Sequence, residues 1–408
     1  MLGGFTLNKD IIIIGGGAAG LFLASLLQNT ENTVIFERGE RVGRKLSATG
    51  NGQGNITNVH ANGEEYFSST PLGVSRAKEI VNQNDPKSLI SHKETLGLLL
   101  LADERGRVYP AGRQASSITD ALRFYAEIRG VQTRTNTRVI AIEKDKTGFV
   151  LTVQTEENTQ RVLAENVVLC TGGKAAKNFG SDGAAYALAQ KFGHTLTALY
   201  PSLVQLKTDT ATIKTLKGIR AMDVGVTARW QGGSLAIKGD VIFTDYGVSG
   251  DAIFRISAFV SDKKNTKIEI DFLPDFSEEK ICETLLQKQK RFPKTPVGEL
   301  LCGVVNNQIG RAVMKLCEGN LRKAAKIVKA FPLSVTGTLG FDYAQVTKGG
   351  IPVEETDENL QSRFVKNLYF AGEILDVDGQ CGGYNLQWAY ASASVVAKAI
   401  SAKTRGQV

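Results

Sequence analysis

The residues best suited by type and spacing to hold a reactive group are glycines. Gly15-Gly16-Gly17-Ala18-Ala19-Gly20 forms a GxGxxG pattern directly after the β-branched run Ile11–Ile14 and directly before an apolar stretch from Leu21 to about Gln28. In that context the first glycine permits a tight turn, the second lets backbone approach a pyrophosphate, and the third lets a helix pack closely on a strand. The helix N-terminus that follows offers unsatisfied N–H groups and partial positive charge to phosphates. Glu37 closes a second short strand, Thr33–Phe36, where a carboxylate can accept the hydroxyls of an adenosine ribose. Strand, turn, helix, strand and acid make one βαβ unit suited to an adenine dinucleotide. FAD and NAD both carry ADP, and this turn alone does not separate them.

Two further stretches bear on that choice. Arg44 and Lys45 follow Glu37 closely and can neutralise a pyrophosphate, and the loop Thr49-Gly50-Asn51-Gly52-Gln53-Gly54-Asn55 can lie against a flat ring. A solvated surface loop explains the same stretch when it is taken alone. Near the other end, Leu368–Ala371 reads as a buried strand running to Gly372 and Glu373. Gln380-Cys381-Gly382-Gly383-Tyr384-Asn385 then opens a long helix rich in small and apolar residues. A second helix N-terminus bare of side chains suits the negative charge of a reduced flavin, and Glu373 suits ribityl hydroxyls. A strand–turn–helix that merely closes an α/β sheet needs no ligand.

IIIIGGGAAGL, ERGERVGRKLSATGNGQGNITN, GRVYPAGRQASSITDAL, FTDYGVSGDAIFRIS, TKGGIP and AGEILDVDGQCGGYNLQWA together resemble a bacterial flavoprotein family that contains aminoacetone oxidase and a bile-acid 3-oxo-Δ4 reductase-type enzyme. The resemblance spans nearly the whole chain. It implies non-covalent FAD, with Gly15, Gly17, Ala19 and Gly20 on the pyrophosphate, Glu37 on the ribose, and Arg44 and Lys45 on the phosphate side. Asn51, Gly52 and Asn55 would line the flavin, and Val139 would meet the adenine through its backbone. Gly172, Gly372, Glu373, Gly383, Asn385 and Leu386 would complete the site, with Ala18, Arg38, Thr171 and Tyr384 beside them. Members of the family often carry a basic residue and a cysteine where this chain has Gln53 and Gly54, so a thiol or cation at that spot has no part here.

The elements that must position these residues form an α/β chain. The expected fold is a two-dinucleotide-type, Rossmann-like FAD-binding domain from residues 1–194 and 346–408. An inserted β-rich domain covers 195–276 and 331–345, and a small helical subdomain covers 277–330. Residues Arg138–Leu169 read as an antiparallel meander, and a helix is expected over Asp182–Lys191. The alternating segments 224–230, 239–245 and 267–273 mark strands of the insert.

Composition excludes several classes. The longest apolar runs fall far short of the roughly 20 residues of a membrane helix, and the N-terminal segment has no leader pattern, so a cytoplasmic protein is expected. Five cysteines without a CxxC pair suggest neither a zinc knuckle nor a redox disulfide. His60, His92 and His194 share no metal-ligand spacing and read as structural, and Cys381 reads as a small buried hydrophobe. Tyr109, Tyr246 and Tyr384 are conceivable proton donors, yet no catalytic acid or base is assigned. The net charge of +8 comes from basic residues read as spread along the chain, which argues against nucleic acid and for mild attraction of anionic ligands.

The leading reading is an oxidoreductase in which FAD exchanges a hydride with a small organic substrate. Reduction of a conjugated ketone comes first, with NAD(P)H as a transient donor because no second GxGxxG follows a strand. Oxidation of an amine or aminoketone by dioxygen comes second. A flavin-binding module that contacts RNA or senses redox state is the non-enzyme alternative. Oligomeric state is not legible.

Overall fold

A computed structural model of the chain describes residues 7–405. The chain forms two compact units, Met1–Tyr200 with Val346–Val408, and Pro201–Gln345.

In the first unit β1 (Leu7–Ile14), α1 (Ala18–Leu26) and β2 (Thr33–Phe36) are followed by β3 (Gln132–Arg134), β4 (Arg138–Lys144), β5 (Phe149–Gln154) and β6 (Thr159–Leu169). They form one sheet in the order β3-β2-β1-β6-β5-β4, and the strand Leu368–Phe370 pairs in parallel with the end of β6. A parallel sheet covered on both faces demands apolar, β-branched runs rather than alternation. Ile11–Ile14, Val34–Phe36 and Val167–Leu169 are such runs, Leu368–Phe370 is leucine and aromatic, and all are buried.

The register is what matters for function. Ile14 pairs with Phe36 and with Leu169, and Leu169 pairs with Phe370. Four parallel strands therefore end level, and Gly15, Glu37, Cys170 and Ala371 leave the sheet at the same carboxyl edge. Ligands of open α/β sheets bind outside that edge.

The meander expected over 138–169 is present as the antiparallel strands β4, β5 and β6. Its first turn is held by Asp145, whose Oδ1 accepts from Thr147 N at 2.7 Å and Gly148 N at 3.0 Å. The helix expected over 182–191 is shorter, only Tyr186–Gln190. Gly183 takes a positive φ of 76°, and Asp182 Oδ1 accepts from Ala184 N at 2.9 Å, so a side-chain turn occupies what would have been the first helical turn.

The second unit is a closed six-stranded barrel, Leu206–Thr208, Gly247–Ser249, Gly233–Phe243, Arg220–Trp230, Lys267–Asp271 and Phe331–Thr338 in spatial order. The alternating strands were expected; their closure into a barrel is what the sequence pattern did not disclose. Between its last two strands lie α2 (Glu278–Arg291), α3 (Asn307–Leu316) and α4 (Leu321–Lys329). Ser277 caps α2 by accepting from Lys280 N at 3.2 Å, and Asn320 caps α4 by accepting from Lys323 N at 3.0 Å. Ile281, Leu285, Ile309, Val313, Ala324 and Val328 join the barrel's own hydrophobic core, so these helices and the barrel share one interior. Among the described residues, no helix is long and apolar enough to cross a membrane.

Candidate functional site

The three glycines of the first turn meet three different steric demands. At Gly15, with φ of 102°, a Cβ would lie 2.6 Å from the carbonyl oxygen of Cys170, so the turn runs against the end of β6. At Gly20 a Cβ would lie 2.1 Å from the carbonyl oxygen of Gly15, which is the close helix–strand approach. At Gly17 a Cβ would meet nothing within 4 Å. That open face at the head of α1 is a cradle a side chain would fill. It adjoins the first N–H groups of α1, which a helix cannot satisfy internally.

Glu37 holds its carboxylate across the same turn. Its Oε2 accepts from Gly16 N at 2.9 Å and its Oε1 from Gly39 N at 2.7 Å. The segment before Val139 is tied to it, with Asn136 N donating to Gly39 O at 2.9 Å and Thr137 N to Glu37 O at 2.9 Å. Val139 itself is buried at the start of β4.

The C-terminal strand completes the edge. A Cβ on Gly372 would lie 2.7 Å from the Cβ of Ala19, so the end of this strand touches α1. Gly372 is fixed from the other side by the C-terminal helix Tyr384–Arg405. Ser392 Oγ accepts its N–H at 2.9 Å and Trp388 Nε1 donates to its carbonyl at 3.1 Å.

The cations expected on phosphate are engaged within the protein. Lys45 Nζ pairs with Glu373 Oε2 at 2.7 Å. Arg44 donates to Asn178 O at 2.8 Å, and Arg38 pairs with Asp182 Oδ2 at 2.8 Å. Glu373 Oε1 also accepts Thr347 N at 2.9 Å, while Thr347 Oγ1 accepts from Lys174 N at 2.8 Å and Ala175 N at 2.9 Å. Lys45 and Glu373 thus clamp the loop after the first turn to the end of the last strand. Thr347 was not singled out as a site residue, although it opens the TKGGIP stretch that carried part of the resemblance.

The second glycine turn meets the Thr49–Asn55 loop. A Cβ on Gly383, with φ of 104°, would lie 2.4 Å from Thr57 O and 2.9 Å from Asn55 Oδ1. Asn58 Nδ2 donates to Gly382 O at 3.2 Å, and Tyr66 OH donates to Tyr384 O at 2.9 Å. Asn385 spends its side-chain amide on the turn itself, accepting from Gly379 N at 2.9 Å and donating to Gly379 O at 2.8 Å. It positions the turn. Leu386, in the first turn of this helix, packs against the buried core.

Several buried polar atoms have no protein partner. Asn55 Oδ1 and Thr171 Oγ1 are two of these, one beside the second glycine turn and one directly after β6, next to Gly172. Gly52 is open within 4 Å of a would-be Cβ and Asn51 is exposed at the loop tip. Gly54, where the resembling family often has cysteine, would put a Cβ 2.8 Å from Ala115 Cα, so the helix beneath leaves no room for a side chain.

His92, His194 and Tyr109 have ordinary partners. His194 is buried, with Nδ1 at 2.9 Å from Glu355 and Nε2 at 2.7 Å from Ser362 Oγ, and His92 lies 3.0 Å from Ser25 Oγ. Burial lowers both imidazole pKa values, so both rings favour the neutral form. Tyr109 is buried beneath the Arg113 guanidinium, 4.1 Å from its ring centroid, and burial pushes its phenol up. Cys170 lies fully buried behind the first turn, and burial pushes its thiol well above the usual range. A thiol so placed is inert.

Comparison with known proteins shows the family and the fold. The model of the family described as "HI0933-like protein Rossmann domain" matches residues 9–399. A protein named 3-dehydro-bile acid delta(4,6)-reductase, from Clostridium scindens, is 33% identical over 95% of this chain and 98% of its own. A protein named ribosomal RNA dihydrouridine synthase, from Haemophilus influenzae, is 30% identical over 96% of this chain and 98% of its own. Among solved structures, 3-ketosteroid-delta4-(5alpha)-dehydrogenase from Rhodococcus jostii RHA1 superposes with a TM-score of 0.51 at 17% identity, covering 98% of both chains. That last likeness is one of fold.

Proposed function

We propose that this chain, which belongs to the HI0933-like Rossmann-domain family and is an FAD-dependent oxidoreductase, uses FAD to deliver a hydride to a carbon–carbon double bond conjugated with a carbonyl. The observation that carries this is that the last strand ends against the first glycine turn, Gly372 against Ala19, while the second glycine turn sits on the Thr49–Asn55 loop, Gly383 against Asn55. Residues separated by most of the chain thereby lie beside the carboxyl edge of one sheet, where a dinucleotide is received.

The chain's residues have definite tasks in this reading. Gly15, Gly17 and Gly20, with Ala18, Ala19 and the head of α1, receive the pyrophosphate, and Glu37 accepts the ribose hydroxyls. Lys45 neutralises Glu373, so that two opposite charges, not one, face the cofactor. Arg38 and Arg44 brace the loop 178–182 against the phosphate side. Asn55, Gly52 and the first turn of the C-terminal helix receive the ring, and donors there favour added negative charge. Thr171 Oγ1 and Asn55 Oδ1, buried and without protein partners, gain theirs when the cofactor binds.

A small conjugated ketone is the first substrate class, supported by the 33% identity to the delta(4,6)-reductase. A uracil ring is the second, supported by the 30% identity to the dihydrouridine synthase. The C5–C6 bond of uracil is conjugated with its C4 carbonyl, so one chemistry serves both. A reduced nicotinamide is the electron donor in either case. The cytoplasm is the proposed compartment, since none of the five cysteines forms a disulfide.

Acid release from purified protein is expected to yield FAD, not FMN. NADH or NADPH should bleach the flavin anaerobically, and an enone ketone or a uridine-containing RNA should restore its colour faster than air does. Reoxidation faster with dioxygen than with either acceptor, or bleaching by aminoacetone and not by a reduced nicotinamide, overturns the assignment in favour of an oxidase.

Glu37→Ala is expected to weaken FAD retention about 10- to 100-fold. It removes charge-assisted acceptors worth roughly 1.5–3 kcal/mol each and leaves Gly16 N without a partner. Glu64→Ala should change retention little, because Glu64 is exposed and pairs only with Lys78 at the surface. Dialysis followed by FAD titration, monitored by flavin fluorescence, checks both. Equal affinities would remove Glu37 from the site.

A further inference from the structure

The positive balance of the chain is not spread evenly, contrary to the sequence reading above. Residues 277–330 hold eleven Lys and Arg against five Asp and Glu, so this stretch carries a net +6 of the chain's +8. Most of this charge is at the surface: Lys290, Arg291, Lys294, Lys315, Arg322, Lys323 and Lys326 are exposed. None of these seven makes an ion pair among the described residues, whereas Arg311 is paired with Glu299 at 2.7 Å and Lys329 with Asp271 at 2.6 Å.

The fold gathers part of this charge at one place. α2 begins just after Leu273, and α4 ends at Lys329, whose Nζ donates to Leu273 O at 2.8 Å. The two helices pack on each other and run antiparallel, so the end of α2 lies beside the start of α4. Lys290, Arg291 and Lys294 are thus brought to the same end as Arg322 and Lys323. Amid them Phe292 is 51% exposed, and the Arg291 guanidinium lies 5.7 Å from its ring centroid. Arg291, Phe292, Pro293, Lys294 and Thr295 line an open surface pocket of about 480 Å³. A solvated basic helix face has no need of an exposed aromatic ring. Cations around an exposed aromatic ring are the combination that grips a single nucleic-acid strand: charges follow the phosphates and the ring stacks on a base.

We propose that the end of α2 and the start of α4 form a docking surface for single-stranded RNA. Charge complementarity and the exposed ring favour this occupant; a membrane surface, which would also engage the exposed Leu286, Val297 and Leu316, is the alternative that the vesicle measurement below reads. The surface does not depend on which double bond the flavin reduces.

The test is fluorescence anisotropy of a labelled oligouridine RNA titrated with the holoprotein at several KCl concentrations. Wild-type protein should bind with a steep log–log salt slope. Phe292→Ala should weaken binding about 5- to 100-fold with the slope kept, because only stacking is lost. The triple variant Lys290→Ala/Arg291→Ala/Lys294→Ala should flatten the slope by about 0.7 for each phosphate contact removed. Flavin content and reduction by nicotinamide should stay at wild-type levels in both variants, so a failure here is distinguishable from a failure of the flavin assignment. Wild-type binding by both variants overturns the proposal. So does absence of RNA binding, or capture by phosphatidylserine vesicles in its place.

Discussion

Gly17→Ala is expected to leave the apoprotein folded and to cost it most of its FAD. A Cβ at position 17 meets no protein atom within 4 Å, and the backbone there has a φ of −79°, which alanine adopts without strain. The added methyl therefore has nothing to collide with except what the cradle receives. If that is a pyrophosphate held by backbone N–H groups, one carbon in the way should lower affinity about 10- to 100-fold, the equivalent of roughly 1.4–3 kcal/mol. Gly20→Ala, only three residues away, should do the opposite. Helix propensity alone would make it stabilising by about 1 kcal/mol, since glycine is replaced inside α1. Its Cβ, however, would sit 2.1 Å from the carbonyl oxygen of Gly15, and that obstruction is backbone that no rotamer change can relieve. The steric effect wins, and α1 must lift from the sheet at a cost of about 3 kcal/mol or more. Thermal unfolding of the apoproteins and FAD titration separate the two. A Gly17→Ala protein that binds FAD as wild type does would show that the open face is not the phosphate cradle.

The contrast shows what the primary structure discloses and what it conceals. Gly15, Gly17, Gly20 and Glu37 were legible because one βαβ unit is local: strand period, turn and acid occur within a few dozen residues, and each leaves its own signature. The second glycine turn was legible for the same reason. That both turns stand on one sheet was inferred, and β6 is the strand between them, pairing with β1 on one side and with Leu368–Phe370 on the other. The pairing of Lys45 with Glu373 was not legible. Each was read separately, Lys45 for the phosphate side and Glu373 for the ribityl hydroxyls, and nothing in sequence announces a partner 328 residues away. Asn385 was read as completing the site, and what the sequence did not announce is that its amide also closes its own turn, bonding Gly379 in both directions. The barrel's closure depends on pairing Leu206–Thr208 with Phe331–Thr338 across the whole insert, a non-local choice that alternation in single strands does not encode. The clustered charge was hidden differently. It is present in composition, but becomes a surface only when α2 and α4 are antiparallel.

Gly383→Ala is expected to release the flavin, and Cys381→Ser to leave both retention and turnover near wild type. The turn Gly382–Gly383 heads the C-terminal helix, whose first N–H groups have no partner within the helix and are the donors available to a bound ring. Two costs follow from a methyl at position 383. A φ of 104° is a conformation that side-chain-bearing residues rarely adopt, worth about 1–3 kcal/mol. The Cβ would also stand 2.4 Å from Thr57 O, which is strand backbone, and 2.9 Å from Asn55 Oδ1, so the turn and the Asn55 loop must part. Gly383→Asp adds a carboxylate to the same obstruction and should do at least as much harm. Gly382→Ala is the control for backbone strain alone: its φ is 121°, but its Cβ would come no closer than 3.6 Å to any neighbour. It should keep more flavin than Gly383→Ala does. Cys381 is one residue before this turn, and serine there preserves size while removing the thiol. If Cys381→Ser abolished turnover while Gly383→Ala kept flavin and an unchanged reduction potential, the chemistry would belong to the sulfur and not to the helix N-terminus. The expected order of flavin retention is wild type and Cys381→Ser together, then Gly382→Ala, then Gly383→Ala, because obstruction by fixed backbone adds to conformational strain only at the last position.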